Sequence, residues 1–388
     1  MFFVVLASIL GLLHVYVWKR MVKDTTRPGR TRWLLSVVLM ALMTLLLATL
    51  IAPRIFGVAE SSWYAWPGYF WFGLIVYLFL ALLVLEPVRL AVRMIRRWRT
   101  RECATDAPVV SLDRRIFLAR AGATAAGAAA VGLVGTGAVS ALGPPNMLRV
   151  PVRLRHLDPV FDGFRIAVVS DIHLGPLLGR AHTERIVGMI NETEPDLVAV
   201  VGDLVDGTVQ ELGAAAAPLR DLQSREGTFF VTGNHEYFVE DTAAWLKELE
   251  RLGLQVLRNE NTRIRRGAAG FDLAGVNDIA GRSHSDAPDF DRALAGVNPA
   301  GPTILLAHQP VQVAQAAARG VDLQVSGHTH GGQMWPFHYV VSQAQPALAG
   351  LSAVQDTQLY VTRGAGFWGP PVRIGAPPDI SVLSLRSG

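Results

Sequence analysis

Cysteine is almost absent from this chain: there is one, Cys103, in 388 residues, and none follows it. That excludes a disulfide framework and a cysteine-ligated zinc site from everything downstream, and it suits an oxidising compartment. Charge is also sparse, at 18% of residues. Residues 1–115 hold 15 Lys and Arg against 6 Asp and Glu, whereas the remainder holds 21 against 26. The downstream part is therefore mildly acidic. It lacks the basic stripe that a phosphate backbone demands, so nucleic acid is not an expected partner. There is no internal repeat, and the only biased segment is one Ala/Gly-rich run.

Apolar residues are what the chain has in excess. They make up 51% of it, with a mean hydropathy of +0.31, and the excess sits in the first 142 positions. Apolar stretches at 2–18, 34–52 and 70–85 approach or reach the ~20 residues that cross a bilayer as a helix, so residues 1–112 read as an all-α membrane region with three transmembrane helices. The loop after the first stretch carries Lys19, Arg20, Lys23, Arg27, Arg30 and Arg32; the segment after the third runs from Arg89 to Arg115 and is again basic. The loop between the second and third has only Arg54 and Glu60. Positive loops stay in the cytoplasm, which places the N-terminus outside. Trp63, Tyr64, Trp66, Tyr69 and Trp71 then form an aromatic belt at the outer interface.

A fourth apolar run, 121–148, is rich in Ala and Gly and follows Arg114-Arg115-Ile116-Phe117-Leu118. This pattern resembles a twin-arginine export signal set inside the chain. Residues 113–149 read as that segment plus a linker, which puts the rest of this multi-pass protein on the extracytoplasmic side of the cell membrane.

From Val150 to the end, apolar runs alternate with helical spacing. Runs at 164–170, 197–201, 228–232, 303–307 and 321–325 read as strands buried on both faces, and amphipathic spacing at 182–194 and 242–252 reads as helices. An α/β sandwich of two sheets flanked by helices is the expected fold. Each strand-like run leads into a short polar motif: Asp171-Ile172-His173, Gly202-Asp203, Gly233-Asn234-His235-Glu236, His308, and Gly327-His328-Thr329-His330. Carboxylate, amide oxygen and imidazole together suit manganese, iron, zinc or nickel better than magnesium or calcium. Two such ions roughly 3.5–4 Å apart share a carboxylate and a hydroxide, which attacks phosphorus in line with the leaving oxygen.

Those motifs, in that order, resemble the calcineurin-like metallophosphoesterase signature. Gly331-Gly332-Gln333 resembles its membrane-associated bacterial branch, the YkuE-like proteins. The resemblance covers roughly 150–385, and 150–388 reads as the metallophosphoesterase domain. It implies a four-layer α/β/β/α sandwich with two divalent metal ions. By motif match, Asp171, His173, Asp203 and His330 hold the first ion, Asp203 bridges, and Asn234, His308 and His328 complete the second. His235 is the implied acid, steered by a neighbouring carboxylate. Glu236 stands where Asp often follows the Asn-His pair, with scope to reposition His235, and Asp206 matches the second acid of its motif. The implied substrate is a phosphomonoester or phosphodiester. Anchoring beside headgroups points to a lipid-linked or envelope substrate, and the resemblance brings in the hydrolases of UDP-diacylglucosamine pyrophosphate. A protein phosphatase or nuclease of the same superfamily is the alternative enzyme. A metal-bound membrane sensor or scaffold is the alternative without catalysis.

Gly364-Ala365-Gly366-Phe367-Trp368-Gly369 fits Gly-x-Gly-x-x-Gly, but Pro370-Pro371 follow, so no helix starts there to receive a dinucleotide. Phe367 and Trp368 are instead candidates for an apolar lip, and Arg363, Asn277 and Arg282 for substrate contacts. His14, His156, His182, His284 and His338 read as ordinary polar residues.

Overall fold

The computed structural model describes residues 2–57, 61–102, 112–239 and 242–388. Cys103 and Glu60 lie outside the described residues. The chain forms two compact units. One holds the described residues up to Ala138 except Gly57; the other holds Gly57 and the described residues from Val139 to Gly388.

The regular elements of the first unit among its described residues are all helices: α1 (Phe2–Val17) with a π-helical extension (Trp18–Lys23), α2 (Arg30–Ile51), α3 (Pro53–Phe56), α4 (Ser62–Val84), α5 (Glu86–Glu102) and most of α6 (Leu112–Leu142), whose last turn belongs to the second unit. Four helical stretches are long and apolar enough to cross a membrane: Val5–Lys23, Arg30–Ile51, Ser62–Val92 and Asp113–Leu142. α6 takes in Arg114 and Arg115 as well as the Ala/Gly run, so the export-like segment is one continuous helix. Leu10, Val17, Leu46, Ile75, Leu82 and Ala126 form the buried core of this unit. Arg20 and Arg89, which sequence places among free loop charges, both donate to Glu86, at 2.8 Å each, and Tyr16 donates to the same carboxylate at 2.7 Å. A half-buried carboxylate is tolerated when its lone pairs are filled in this way.

The second unit begins with β1 (Asn146–Leu154) and β2 (Arg165–Val169), then α7 (Arg180–Asn191), β3 (Leu197–Val201), α8 (Val209–Ala216), β4 (Thr228–Val231), α9 (Asn234–Phe238), α10 (Thr242–Arg251) and β5 (Leu254–Val256). It continues with β6 (Glu260–Arg266), β7 (Ala269–Gly275), α11 (Phe290–Ala293), β8 (Thr303–Leu306), α12 (Val313–Ala317), β9 (Leu323–Ser326), α13 (His338–Val341), β10 (Gly350–Val354), β11 (Thr357–Val361) and β12 (Asp379–Ser387). The strands make two six-stranded sheets, ordered β1-β12-β2-β3-β4-β5 and β10-β11-β9-β8-β7-β6. The first is parallel from β2 through β5 and the second from β7 through β9 and on to β11.

Layering follows from which faces are apolar. Ile166, Val168, Ala199 and Val201 of the first sheet meet Phe271, Leu273, Ile304 and Val325 of the second in a shared interior. The other face of the first sheet packs on α7, α8 and α10 through Ile186, Leu212, Trp245 and Leu249. The outer face of the second packs on α11 and α12 through Phe290, Ala293 and Ala316. Strands covered on both sides read as unbroken apolar runs, and the result is the four-layer α/β/β/α sandwich. After Gly369 no helix begins, so the Gly-x-Gly-x-x-Gly string is a loop.

His182, on α7, is buried, and its Nε2 makes no hydrogen bond. Burial, helped by the Arg185 charge, brings its pKa down to about 4. The unfolded chain then binds the proton between an ordinary pKa near 6.5 and about 4, so His182 leaves stability intact above that window and erodes it as pH falls through the window. On the order of 3 kcal/mol is lost. His182→Leu should flatten the decline of thermal stability between pH 6.5 and 4 relative to the parent protein, as read by tryptophan fluorescence melting.

Candidate metal centre

Every motif sits at the C-terminal end of a parallel strand, where open α/β sheets gather ligands. Asp171 and His173 follow β2, Asp203 follows β3, Asn234 and His235 follow β4, His308 follows β8, and His328 and His330 follow β9. The turns are laced to one another: Asp171 N donates to Gly202 O at 3.0 Å, His173 N to Asp203 O at 3.1 Å, and Gly327 N to His308 O at 3.0 Å. Asp171, His173, Asp203, His328 and His330 all have φ between 51° and 70°. Only a few per cent of non-glycine residues do this, and such conformers cost roughly 1–3 kcal/mol each. The left-handed turn swings each side chain off its strand end toward the others. Gly202 (φ 76°) leaves no room for more: a Cβ there would lie 2.6 Å from Gly233 N and 2.7 Å from His308 Nδ1. Gly364 (φ 78°) does the same on the other side, where a Cβ would sit 2.5 Å from that of Asp171.

Three His/Asp groups converge, each with its ligand atoms within 4.8 Å: Asp171, His173 and His330; His173, Asp203 and His235; and Asp203, His308 and His328. His173 Nε2 is 3.1 Å from His330 Nε2 and 3.9 Å from Asp203 Oδ2. His330 Nε2 is 3.3 Å from Asp171 Oδ1, and His308 Nε2 is 3.1 Å from Asp203 Oδ2. Bonds of about 2.0–2.2 Å to a zinc-sized ion set neighbouring ligand atoms roughly 3 Å apart, so these separations suit cations held between the groups.

Hydrogen bonding supports the fit. His308 Nδ1 donates to Val201 O at 2.7 Å, which turns the lone pair of Nε2 toward Asp203. That Nε2 and Asn234 Oδ1 are both buried acceptors without a hydrogen bond. Neither Asp171 nor Asp203 has a Lys or Arg within ion-pair distance among the described residues. Burial works against charge on His308, yet the Asp203 carboxylate pulls its pKa well above the usual value. A proton or a cation must offset Asp203 at this point. His328 is pushed down to about 3 by burial and by His308, which leaves it the neutral imidazole that metals bind.

The steering carboxylate is Asp206. Its Oδ1 accepts from His235 Nδ1 at 2.5 Å and lies 3.2 Å from His173 Nδ1. Burial opposes a charge on His235, but Asp203 and Asp206 outweigh it and raise its pKa to about 9. Glu236 adds its charge to those that raise the His235 pKa, and it also has a structural part. Fully buried, it accepts from Gly233 N (2.6 Å), Leu204 N (2.7 Å) and Asp203 N (3.0 Å), tying the second motif to the third.

Arg373 escapes the sequence reading altogether, because a lone Arg in an apolar tail belongs to no motif. It is buried, donates to the carbonyls of His330, Arg363, Gly366 and Ala376, and donates from Nη2 to His330 Nδ1 at 3.0 Å. His330 therefore carries its own proton on Nε2, which a cation would displace. Burial, with the Arg373 charge behind it, keeps this imidazole neutral.

The four substrate-contact candidates fall in different settings. Trp368 is exposed, its ring 6.1 Å from that of His235. Arg363 runs its stem past Gly331 and pairs with Asp379 at 3.2 Å. Asn277 is buried, and Nδ2 donates to Asp286 Oδ1 at 2.7 Å, so its amide ties down a loop and does not reach a surface. Arg282 is exposed on the turn Ile279–His284.

Glu236→Ala should leave three buried N–H donors unpaired, at about 1–3 kcal/mol each. A Tm lower by about 10 °C and a loss of bound metal are expected in the purified protein, measured by thermal melting and elemental analysis. Full metal content at an unchanged Tm would remove Glu236 from this role.

Residues 164–332 match the family described as calcineurin-like phosphoesterase. The chain is 32% identical to a transmembrane protein with metallophosphoesterase domain from Danio rerio, covering 99% of this chain and 89% of that protein. It is 36% identical to the Bos taurus protein of the same description, covering 98% and 88%. With the uncharacterized metallophosphoesterase YkuE of Bacillus subtilis it shares 31% identity over 71% of this chain and 98% of that one. Likeness to the first two runs through the N-terminal helices, which the five motifs alone did not reach. The chain belongs to the calcineurin-like phosphoesterase family and is a metal-dependent phosphoric ester hydrolase.

Proposed function

We propose that this protein is a membrane-anchored phosphoesterase with a two-metal centre, acting on a phosphomonoester or phosphodiester presented at the outer face of the cell membrane. Asp171, His173, Asp203 and His330 would hold one ion, and Asp203, Asn234, His308 and His328 the other. The observation that carries this reading is the sharing of Asp203 between two His/Asp groups. When bound, such a pair polarises the phosphoryl oxygens and lowers the pKa of a water. The chain's own groups do the rest. Asp206 fixes the His235 ring through Nδ1, which leaves Nε2 to hand a proton to the leaving oxygen. The raised pKa keeps that proton available near neutrality. Trp368 and Phe238, whose rings lie 6.1 and 5.1 Å from that of His235, would line the space for the leaving group.

The basic loops and the Arg114-Arg115 helix support a multi-pass topology with the catalytic domain outside the cytoplasm. A domain held there meets lipid-linked and envelope esters before cytoplasmic nucleotides, which favours the former as substrates.

Full-length protein stripped by chelator and reloaded with manganese should hydrolyse aryl phosphomonoesters or diesters, and the stripped form should not. His235→Ala should lower kcat by about 10²–10⁴ and leave metal content intact. Retained turnover would remove the acid role, and a reloaded protein that holds metal but hydrolyses nothing would favour a sensor or scaffold. On intact cells, added protease should digest the catalytic domain. Protection until lysis would place the domain in the cytoplasm.

A further inference from the structure

The loops that surround the metal centre carry an exposed apolar rim. Nine large hydrophobic side chains are exposed among the described residues from 146 onward, and six of them lie on these loops: Phe238, Trp335, Phe337, Tyr339, Val340 and Trp368. Chance scatter over a domain this size would not concentrate them so. Phe238 and Trp368 flank His235, with ring separations of 5.1 and 6.1 Å. Gln333 binds the backbone of Trp368 in both directions, at 2.9 and 3.0 Å, and so joins that loop to the segment that starts at Trp335. Phe337 caps the start of α13, and Tyr339 and Val340 lie on that helix, where Val340 is 67% exposed.

This segment is also uncharged. No Asp, Glu, Lys or Arg occurs between Gly331 and Gln355, although much of 335–346 is at the surface. Water-facing segments are normally charged. Trp, Tyr and Phe without acids are instead the composition of a bilayer interface.

The chain's course says which occupant the rim meets. Ala141, at the end of α6, is buried against Leu178 and Phe367, the residue before Trp368. Only residues 143–145 separate α6 from β1. Within the catalytic unit the chain thus approaches β1 from beside one of the rim loops, and residues 143–145 span about 10 Å at most.

We infer that the rim Phe238, Trp335, Phe337, Tyr339, Val340 and Trp368 is a membrane-docking surface that seats the mouth of the metal centre on the bilayer in which α6 is anchored. This inference rests on the reading of α6 as a membrane span. Docking presents His235 at headgroup depth, so a phosphate ester is taken while its lipid remains in the leaflet.

The test uses the full chain with Cys103→Ser, spin-labelled in turn at Val340→Cys, Val131→Cys and Val160→Cys, in nanodiscs of phosphatidylethanolamine and phosphatidylglycerol. These side chains are 67%, 61% and 48% exposed, so labels should be tolerated. Collision with oxygen reports lipid and collision with chromium oxalate reports water. The label at 131, in α6, and the label at 340 should both favour oxygen, and the label at 160 should favour the oxalate. Lipid contact at 131 with water contact at 340 overturns docking alone. Water contact at 131 overturns the span and docking with it. A label at 340 shielded from both agents means that protein covers the rim, which also overturns the proposal.

Discussion

The Asp203 carboxylate is the constraint around which the catalytic half is arranged. It is buried, with no Lys or Arg in ion-pair range among the described residues, and each oxygen is held from a different element. Oδ1 accepts from His235 N at 2.8 Å, and Oδ2 lies 3.1 Å from His308 Nε2 across the interface between the two sheets. A charge so placed costs several kcal/mol unless it is offset. The surrounding geometry supplies that offset as imidazoles and as cation sites in place of fixed positive side chains. This explains why the left-handed turns at Asp171, His173, Asp203, His328 and His330 are tolerated together. Each turn is strained by itself, and the strain is offset only if the five side chains meet around positive charge.

Much of this was legible in the chain because the chemistry sits at the ends of apolar runs. A strand covered on both faces has to be apolar, so β2, β3, β4, β8 and β9 announce themselves, and the polar residue that follows each is then conspicuous. What was illegible lies where that contrast fails. β6, Glu260–Arg266, buries only Ile264, because it is an edge strand with one face toward water, so its sequence reads as loop. β1 contains Pro151 and finds its partner in β12, more than two hundred residues on, a pairing no local pattern encodes. Glu236 was noticed for its identity but not for its role. Its three partners are backbone N–H groups, which carry no residue signature. Arg373 likewise spends its donors mostly on carbonyls.

The helical unit follows the same electrostatic rule in a different solvent. Glu86 is filled by Arg20, Arg89 and Tyr16, and His14 takes a hydrogen bond from Trp71 at 3.1 Å. Polar groups among apolar helices are satisfied within the bundle, as lipid would require. The basic residues that give the loops their sign are thus partly committed to internal pairs.

The walls of the metal centre differ in kind, and the difference divides the labour of recognition. The inner wall is buried, laced by backbone hydrogen bonds and fixed by left-handed turns, so it is rigid and reads what every phosphate ester has in common. The outer wall is Phe238, Trp368 and the uncharged segment around Trp335 and Val340, all exposed. A rigid inner wall cannot distinguish one leaving group from another, because the leaving group lies beyond it. Under the docking proposed above, discrimination among esters would fall to the outer wall, whose surface is apolar. A leaving group with apolar surface gains about 25 cal/mol for each Å² it buries there, and a small charged one gains nothing. The five motifs thus identify the reaction, whereas on that proposal the choice of substrate would reside in residues that belong to none of them.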